Sequence, residues 1–207
     1  ISRNTDTEMV EAVQKLTGAK AMILDLRDNP GGLLNQAIKV SNLFLDKGYI
    51  VSTVDRDGYK TSVRVKGEPI CRLPMAVLIN KGSASASEIT SGALKDNDRA
   101  ILVGETTFGK GLVQGINRLD DGSGVNITIA RYLTPSDTDI NRKGISPDVL
   151  VKVSSKDFDN GKGPWWLDDK DSGSERKPSD MKDAQLKKAV ELLRGKVAAK
   201  KGSIAMK

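Results

Sequence analysis

Residues 75 to 114, MAVLINKGSASASEITSGALKDNDRAILVGETTFGKGLVQ, contain a strand, a helix and a second strand in immediate succession. Met75 to Asn80 is short, apolar and bounded by turn formers, the pattern of a strand buried on both faces. A helix over residues 85 to 96 and a strand from Ala100 to Val103 follow. Two buried strands joined by a helix make a parallel crossover, which requires helices packed on the sheet. The pattern also occurs upstream, where Ala21 to Leu26 leads through Arg27-Asp28-Asn29-Pro30-Gly31-Gly32 into a helix marked by Leu33, Leu34, Ala37, Ile38, Val40, Leu43, Phe44 and Leu45. Thr5 and Glu8 have capping-box spacing at the start of an earlier helix, which runs through Met9, Val10, Val13 and Leu16 to Gly18. Two hairpins are expected. One pairs Tyr49–Val54 with Thr61–Val65 around Asp57-Gly58, and the other pairs Leu112–Leu119 with Val125–Tyr132, where Val125, Ile127 and Ile129 alternate. Together these elements predict an α/β fold with a mixed sheet, helices and β-hairpins.

At 207 residues the chain is expected to form one core over 1–153, a polar linker or surface arm over 154–180, and an amphipathic helix and tail over 181–207. Within the arm, Trp165-Trp166-Leu167 is expected to dock on the core, and the last helix carries Leu186, Ala189, Val190, Leu193 and Val197 on one stripe. The net charge of +6 sits largely after Glu175. It lacks the aromatic interleaving or helix-turn-helix spacing of a nucleic-acid surface, so it reads as a solvated helix face with no nucleic-acid partner. No apolar run approaches the ~20 residues of a membrane span. Cys71 is the single cysteine, so it makes neither an internal disulfide nor a thiolate zinc site, and is expected to be buried as an apolar residue.

The absence of histidine governs the chemistry. Ser-His-Asp and Cys-His catalysis and any His-ligated metal are excluded within the chain, and neither metal nor cofactor is expected. A hydrolase built from these residues needs another base, and Ser85 with Lys110 is the candidate pair. Ser85 is expected at a helix N-terminus, where free N–H groups favour a developing oxyanion. Its spacing to Glu88 is equally that of a capping box, so a cap on a non-catalytic binding or scaffold domain stays open, and Ser83 and Ser87 are rival nucleophiles. Lysine acts as a base only when neutral, and free lysine titrates near 10.4, roughly three units too high. Phe108, Leu112 and Val113, with glycines at 109 and 111, suggest an apolar setting for Lys110. Gly104 to Lys110 also matches the G-x-x-x-x-G-K spacing of a phosphate-binding loop, although Gly111 stands where Ser or Thr would hold magnesium and a strand follows. Gly31 and Gly32 sit past a strand end, where α/β sheets place their sites; they suit oxyanion donors or simply a turn. Asp96 lies about 16 Å down the helix from Ser85, too far for contact, and is given a structural role.

Five ordered blocks, LDLRDNPGGLL, INKGSASASEI, LVGETTFGKGLVQ, ARYLTPS and KGISPDV, resemble those of the C-terminal processing, or tail-specific, serine peptidases over residues 1 to 153. The resemblance implies a crotonase/ClpP-like α/β core and a Ser-Lys dyad that cleaves protein substrates near their C-terminus. On that basis Ser85 is the nucleophile, Lys110 the general base and Gln114 the residue that orients the lysine, with oxyanion donors from Ala86 and from Gly31 or Gly32. Residues 110 and 114 are about 13 Å apart in a strand and near 6 Å in a helical turn, so the segment must turn tightly or the lysine fold back. Protein or peptide substrates, an extracytoplasmic location, room for an oligomer, and a PDZ domain not contained in these residues are further implications.

Overall fold

The computed structural model describes residues 1–154, 156, 157, 164 and 182–205, without the side chains of 116 and 200–205. Trp165-Trp166-Leu167 and most of the 154–180 arm lie outside the described residues. Four parallel strands form the first sheet: β1 (Met22–Asp25), β4 (Met75–Ile79), β5 (Ile101–Gly104) and β8 (Val149–Leu150), in the order β1-β4-β5-β8. The second sheet is antiparallel, with β2 (Tyr49–Asp55), β3 (Lys60–Arg64), β6 (Leu112–Arg118) and β7 (Gly124–Leu133) in the order β3-β2-β7-β6. The parallel and antiparallel pairings expected from the sequence are thus divided between two sheets.

β4 lies inside the first sheet and all five of its residues are buried. This explains its continuous apolar sequence, since both faces are covered. On one side lie α2 (Leu34–Asn42) and α3 (Ala86–Asp96), which bury Ala37, Val40, Ala86, Ile89 and Ala93 in the main core. On the other, α4 (Ala184–Ala205) sets Ala189 and Leu193 against Ala76, Leu78 and Val103. Cys71 is free and buried, as expected. Asn4 rather than Thr5 occupies the cap position of α1 (Thr5–Gln14), without a side-chain capping bond, and Thr5 Oγ1 accepts from the Ser2 N–H at 2.8 Å, so that capping box does not form.

β7 differs most from its sequence pattern. Val125, Ile127 and Ile129 alternate on a strand as expected, yet they are 41, 50 and 51 % exposed. β2 pairs only with residues 130–133 of β7, so the hairpin tip extends past β2, and no second layer lies beneath it among the described residues.

Candidate active site

Three neighbouring strands of the parallel sheet end on the same side, and each carboxyl end leads into one candidate element. β1 leads to Gly31-Gly32, β4 to the serine loop and β5 to the Lys110 loop. In open α/β sheets, binding sites form at these ends.

Between β4 and α3, the three serines have different environments. Ser83 is buried, donating its hydroxyl to the Leu26 carbonyl at 2.7 Å and accepting from the Asn80 N–H at 3.0 Å. Ser87 is buried, and its hydroxyl has no partner among the described residues. Ser85 alone of the three is partly exposed. It occupies the cap position of α3 at φ 53° and ψ −115°, a conformation that costs a non-glycine residue about 1–3 kcal/mol. Capping boxes form with the cap in extended backbone, so the box formed here by Ser85 and Glu88 does not account for the strain.

Gly31 sits against this loop with φ 94°. A Cβ there would lie 2.5 Å from the Ala84 carbonyl oxygen, 2.7 Å from the Ala86 nitrogen and 2.9 Å from Ser85 Cβ, an approach that only glycine permits. The two loops are also cross-linked. The Ala84 N–H donates to the Asn29 carbonyl at 3.0 Å, and Asp28 N–H and Asn80 Nδ2 exchange bonds with Asn80 Oδ1 (2.9 Å) and Asp28 Oδ1 (3.0 Å). The Gly31 N–H donates to Asn29 Oδ1 at 3.0 Å, while Gly32 is exposed. Ala86 N–H, in the first turn of α3, has no acceptor within the helix.

The residue that joins the two halves is Glu88, which is fully buried. Its Oε2 accepts from the Ser85 and Lys110 backbone N–H groups at 2.8 Å each, and its Oε1 accepts from Thr107 Oγ1 at 2.5 Å and Gly109 N–H at 2.7 Å. Because one oxygen serves both nitrogens, the backbones of Ser85 and Lys110 lie within twice that bond length of each other. Thr107 extends the network by accepting from the Ile145 N–H at 2.7 Å. The sequence pointed to Glu88 only as a cap partner. A buried carboxylate needs several donors, and three of them arrive from a loop 19 to 22 residues away, which spacing does not reveal.

The same geometry closes the phosphate-loop alternative. The Gly109 and Lys110 amides that would hold a phosphate already hold a carboxylate, and strand β6 follows.

Lys110 departs from expectation. It is exposed, as is Phe108 at 68 %, so the apolar surroundings inferred from its neighbours do not enclose it. Gln114 is also exposed, on β6 opposite Thr128 beside a register shift. Since β6 begins at Leu112, residues 110–114 make no helical turn, which leaves the folded-back lysine as the way for the two side chains to meet. Asp96 accepts from the Ser136 N–H at 3.0 Å, away from Ser85, in the structural role expected.

Below the glycine loop, Arg27 is held by Asp25, Asp183 and Gln185. Burial alone would pull down the pKa of its guanidinium; hydrogen bonds and charge from Asp25 and Asp183 reverse this and leave it above the ordinary value. Among the described residues there is no cluster of potential metal ligands, and no helix is long and apolar enough to cross a membrane.

Comparison with known proteins places these features in context. The family described as Peptidase family S41 matches residues 1–151. A carboxyl-terminal-processing protease of Picosynechococcus is 49 % identical over 152 residues, covering 72 % of this chain and 37 % of the relative. A carboxy-terminal-processing protease of Bartonella bacilliformis is 44 % identical over 198 residues, covering 86 % of this chain and 45 % of the relative. The solved photosystem II D1 C-terminal processing protease superposes with a TM-score of 0.69 at 42 % identity, covering 73 % of this chain and 40 % of that one. The chain therefore spans less than half the length of these relatives.

Proposed function

Because the chain belongs to peptidase family S41, we propose that it is the core of a serine endopeptidase that cleaves protein substrates near their C-terminus through a Ser-Lys dyad. The observation that carries this reading is the single Glu88 oxygen bonded to both the Ser85 and Lys110 backbones. It ties the strained serine to the lysine loop, and neither a cap nor a turn requires that connection.

In the proposed reaction Ser85 Oγ attacks the scissile carbonyl carbon as neutral Lys110 Nζ takes its proton. The oxyanion is met by Ala86 N–H and by an N–H of the Gly31-Gly32 loop, Gly32 being the one not engaged by Asn29. Lys110 then returns the proton to the leaving amine, and a water releases the acyl group from Ser85. Gln114 orients the lysine. Lys110 is exposed, so a bound polypeptide can lie over it. An extended substrate fits the outer edge of β6, which among the described residues pairs on one side only. The relatives' greater length accommodates further elements, a PDZ domain among them, and their chloroplast and cyanobacterial origins support an extracytoplasmic or organellar setting.

The test is turnover of an unfolded protein substrate by the full-length protein, with Ser85→Ala and Lys110→Ala variants and the cut site read by mass spectrometry. Both variants should abolish cleavage while keeping the wild-type circular dichroism spectrum. Near-normal turnover by Lys110→Ala would remove the dyad. The capping box favours a second reading, a non-catalytic binding domain on the same fold. Labelling of Ser85 by a serine-directed covalent probe separates the two, since a capping hydroxyl does not react.

A further inference from the structure

The chain from β1 to Gly31 is held on its inner side by the serine loop, through Ser83, Ala84 and Asn80. On its other side it is held by the C-terminal helix. Arg27 lies four residues before Gly31 with its side chain fully buried. Its Nη1 donates to Asp183 Oδ1 and Gln185 Oε1 at 3.0 Å each, and its Nη2 donates to Asp183 Oδ2 at 2.8 Å and Asp25 Oδ2 at 2.7 Å. Nε donates to Asp25 Oδ1 at 3.0 Å. Asp183 also accepts from the Leu186 N–H at 2.9 Å, capping the first turn of α4, and Gln185 Nε2 donates to the Val151 carbonyl at 2.8 Å. The N-terminus of α4 is thus joined to the root of the glycine loop, 156 residues away in sequence.

Stability alone does not call for this arrangement. α4 already covers the sheet with Ala189 and Leu193, and replacing a buried ion pair by well-packed apolar residues is often neutral or stabilising. A fork bonded at both ends to planar carboxylates does fix direction, because a guanidinium offers its donors in one plane. We propose that Asp183 is a positioning residue: by clamping Arg27 from α4 it sets the height of the Gly31-Gly32 loop over Ser85, so the C-terminal helix completes the oxyanion site. This rests on the peptidase reading above.

Asp183→Asn in the full-length protein is the informative variant. Asparagine keeps the size and capping ability but loses the charge and turns an N–H₂ toward the guanidinium. Leu193→Ala, which loosens the same helix without touching Arg27, is the control. Expected for Asp183→Asn are a kcat at least about 10-fold lower, a KM within about twofold, and faster hydrogen–deuterium exchange over residues 28–32. Leu193→Ala should lower the melting temperature at least as much while leaving kcat and exchange at 28–32 near wild type. Equal kcat losses in the two variants, or wild-type kcat in Asp183→Asn, overturn the proposal. Should Asp183→Asn fail to fold, Gln185→Ala takes its place, with about a threefold lower kcat expected and an unchanged one overturning the idea. If the wild-type protein itself is inactive, the peptidase reading falls instead, and exchange at 28–32 still decides whether the clamp orders the loop.

Discussion

The serine and the lysine sit on opposite kinds of architecture. Ser85 lies between a strand whose five residues are all buried and a helix buried from Ala86 through Leu94. Lys110 precedes a hairpin whose second strand, β7, is exposed for six consecutive residues. The first is fixed by packing on every side. The second is fixed chiefly by backbone bonds, above all those to Glu88, with Phe108 N–H to the Ser83 carbonyl at 2.9 Å and Arg142 N–H to the Gly109 carbonyl at 2.8 Å assisting. The contrast teaches that the fold builds the serine into its core and leaves the lysine on an arm, where a bound chain can cover it.

If that division is right, the two halves respond oppositely to substitution. Lys110→Ala should show the largest activity effect with the smallest structural one. A general base contributes about 10²–10⁴-fold, or ~3–5 kcal/mol of barrier, while removing an exposed side chain changes stability by less than about 0.5 kcal/mol. Turnover assays beside urea titrations check both, and a large stability loss would show that Lys110 is structural. Glu88→Gln comes next and should damage both properties. Its N–H₂ would face backbone donors and leave at least one buried N–H unpaired, at about 1–3 kcal/mol each, with activity falling as the loops part. A stable, active Glu88→Gln protein would break the link between the halves. Ser85→Gly should be inactive yet about 1 kcal/mol more stable than Ser85→Ala, because glycine adopts φ 53° without strain. Equal unfolding midpoints would mean that no strain is stored there. Smallest is Ile127→Thr on the arm, within about 0.5 kcal/mol of wild type in chemical denaturation, whereas the comparable Leu78→Ala in β4 should cost about 2–5 kcal/mol.

The sequence made the first of these halves far more legible than the second. MAVLI is apolar because both faces of β4 are covered, so its strand identity, its helix partner and the loop bearing Ser85 could be read from period and spacing. Gly31 and Gly32 could be read as oxyanion donors or a turn, but the close approach of Gly31 to Ala84 and Ala86 could not, because it depends on the serine loop beside it. The lysine side followed different physics. An alternating strand normally covers a core with its apolar face, and in β7 that face meets solvent; alternation carries no information about what lies opposite. The apolar neighbours of Lys110 failed as a guide to its environment because Phe108 is exposed, while Leu112 and Val113 lie on β6, Val113 packing against the core rather than enclosing the lysine. Glu88 and the Arg27–Asp183 pair were hidden for a third reason. Buried charge is legible only through its partners, and these come from residues 107–110 and 183–185.

β1, β4 and β5 each deliver one component, in the chain order glycine loop, serine, lysine, and β4 joins the other two. On the proposed chemistry, a growing or truncated chain has no hydrolytic capacity until β5 has added itself to the sheet and brought its loop across. On that chemistry, fragments that end before Lys110 lack the base.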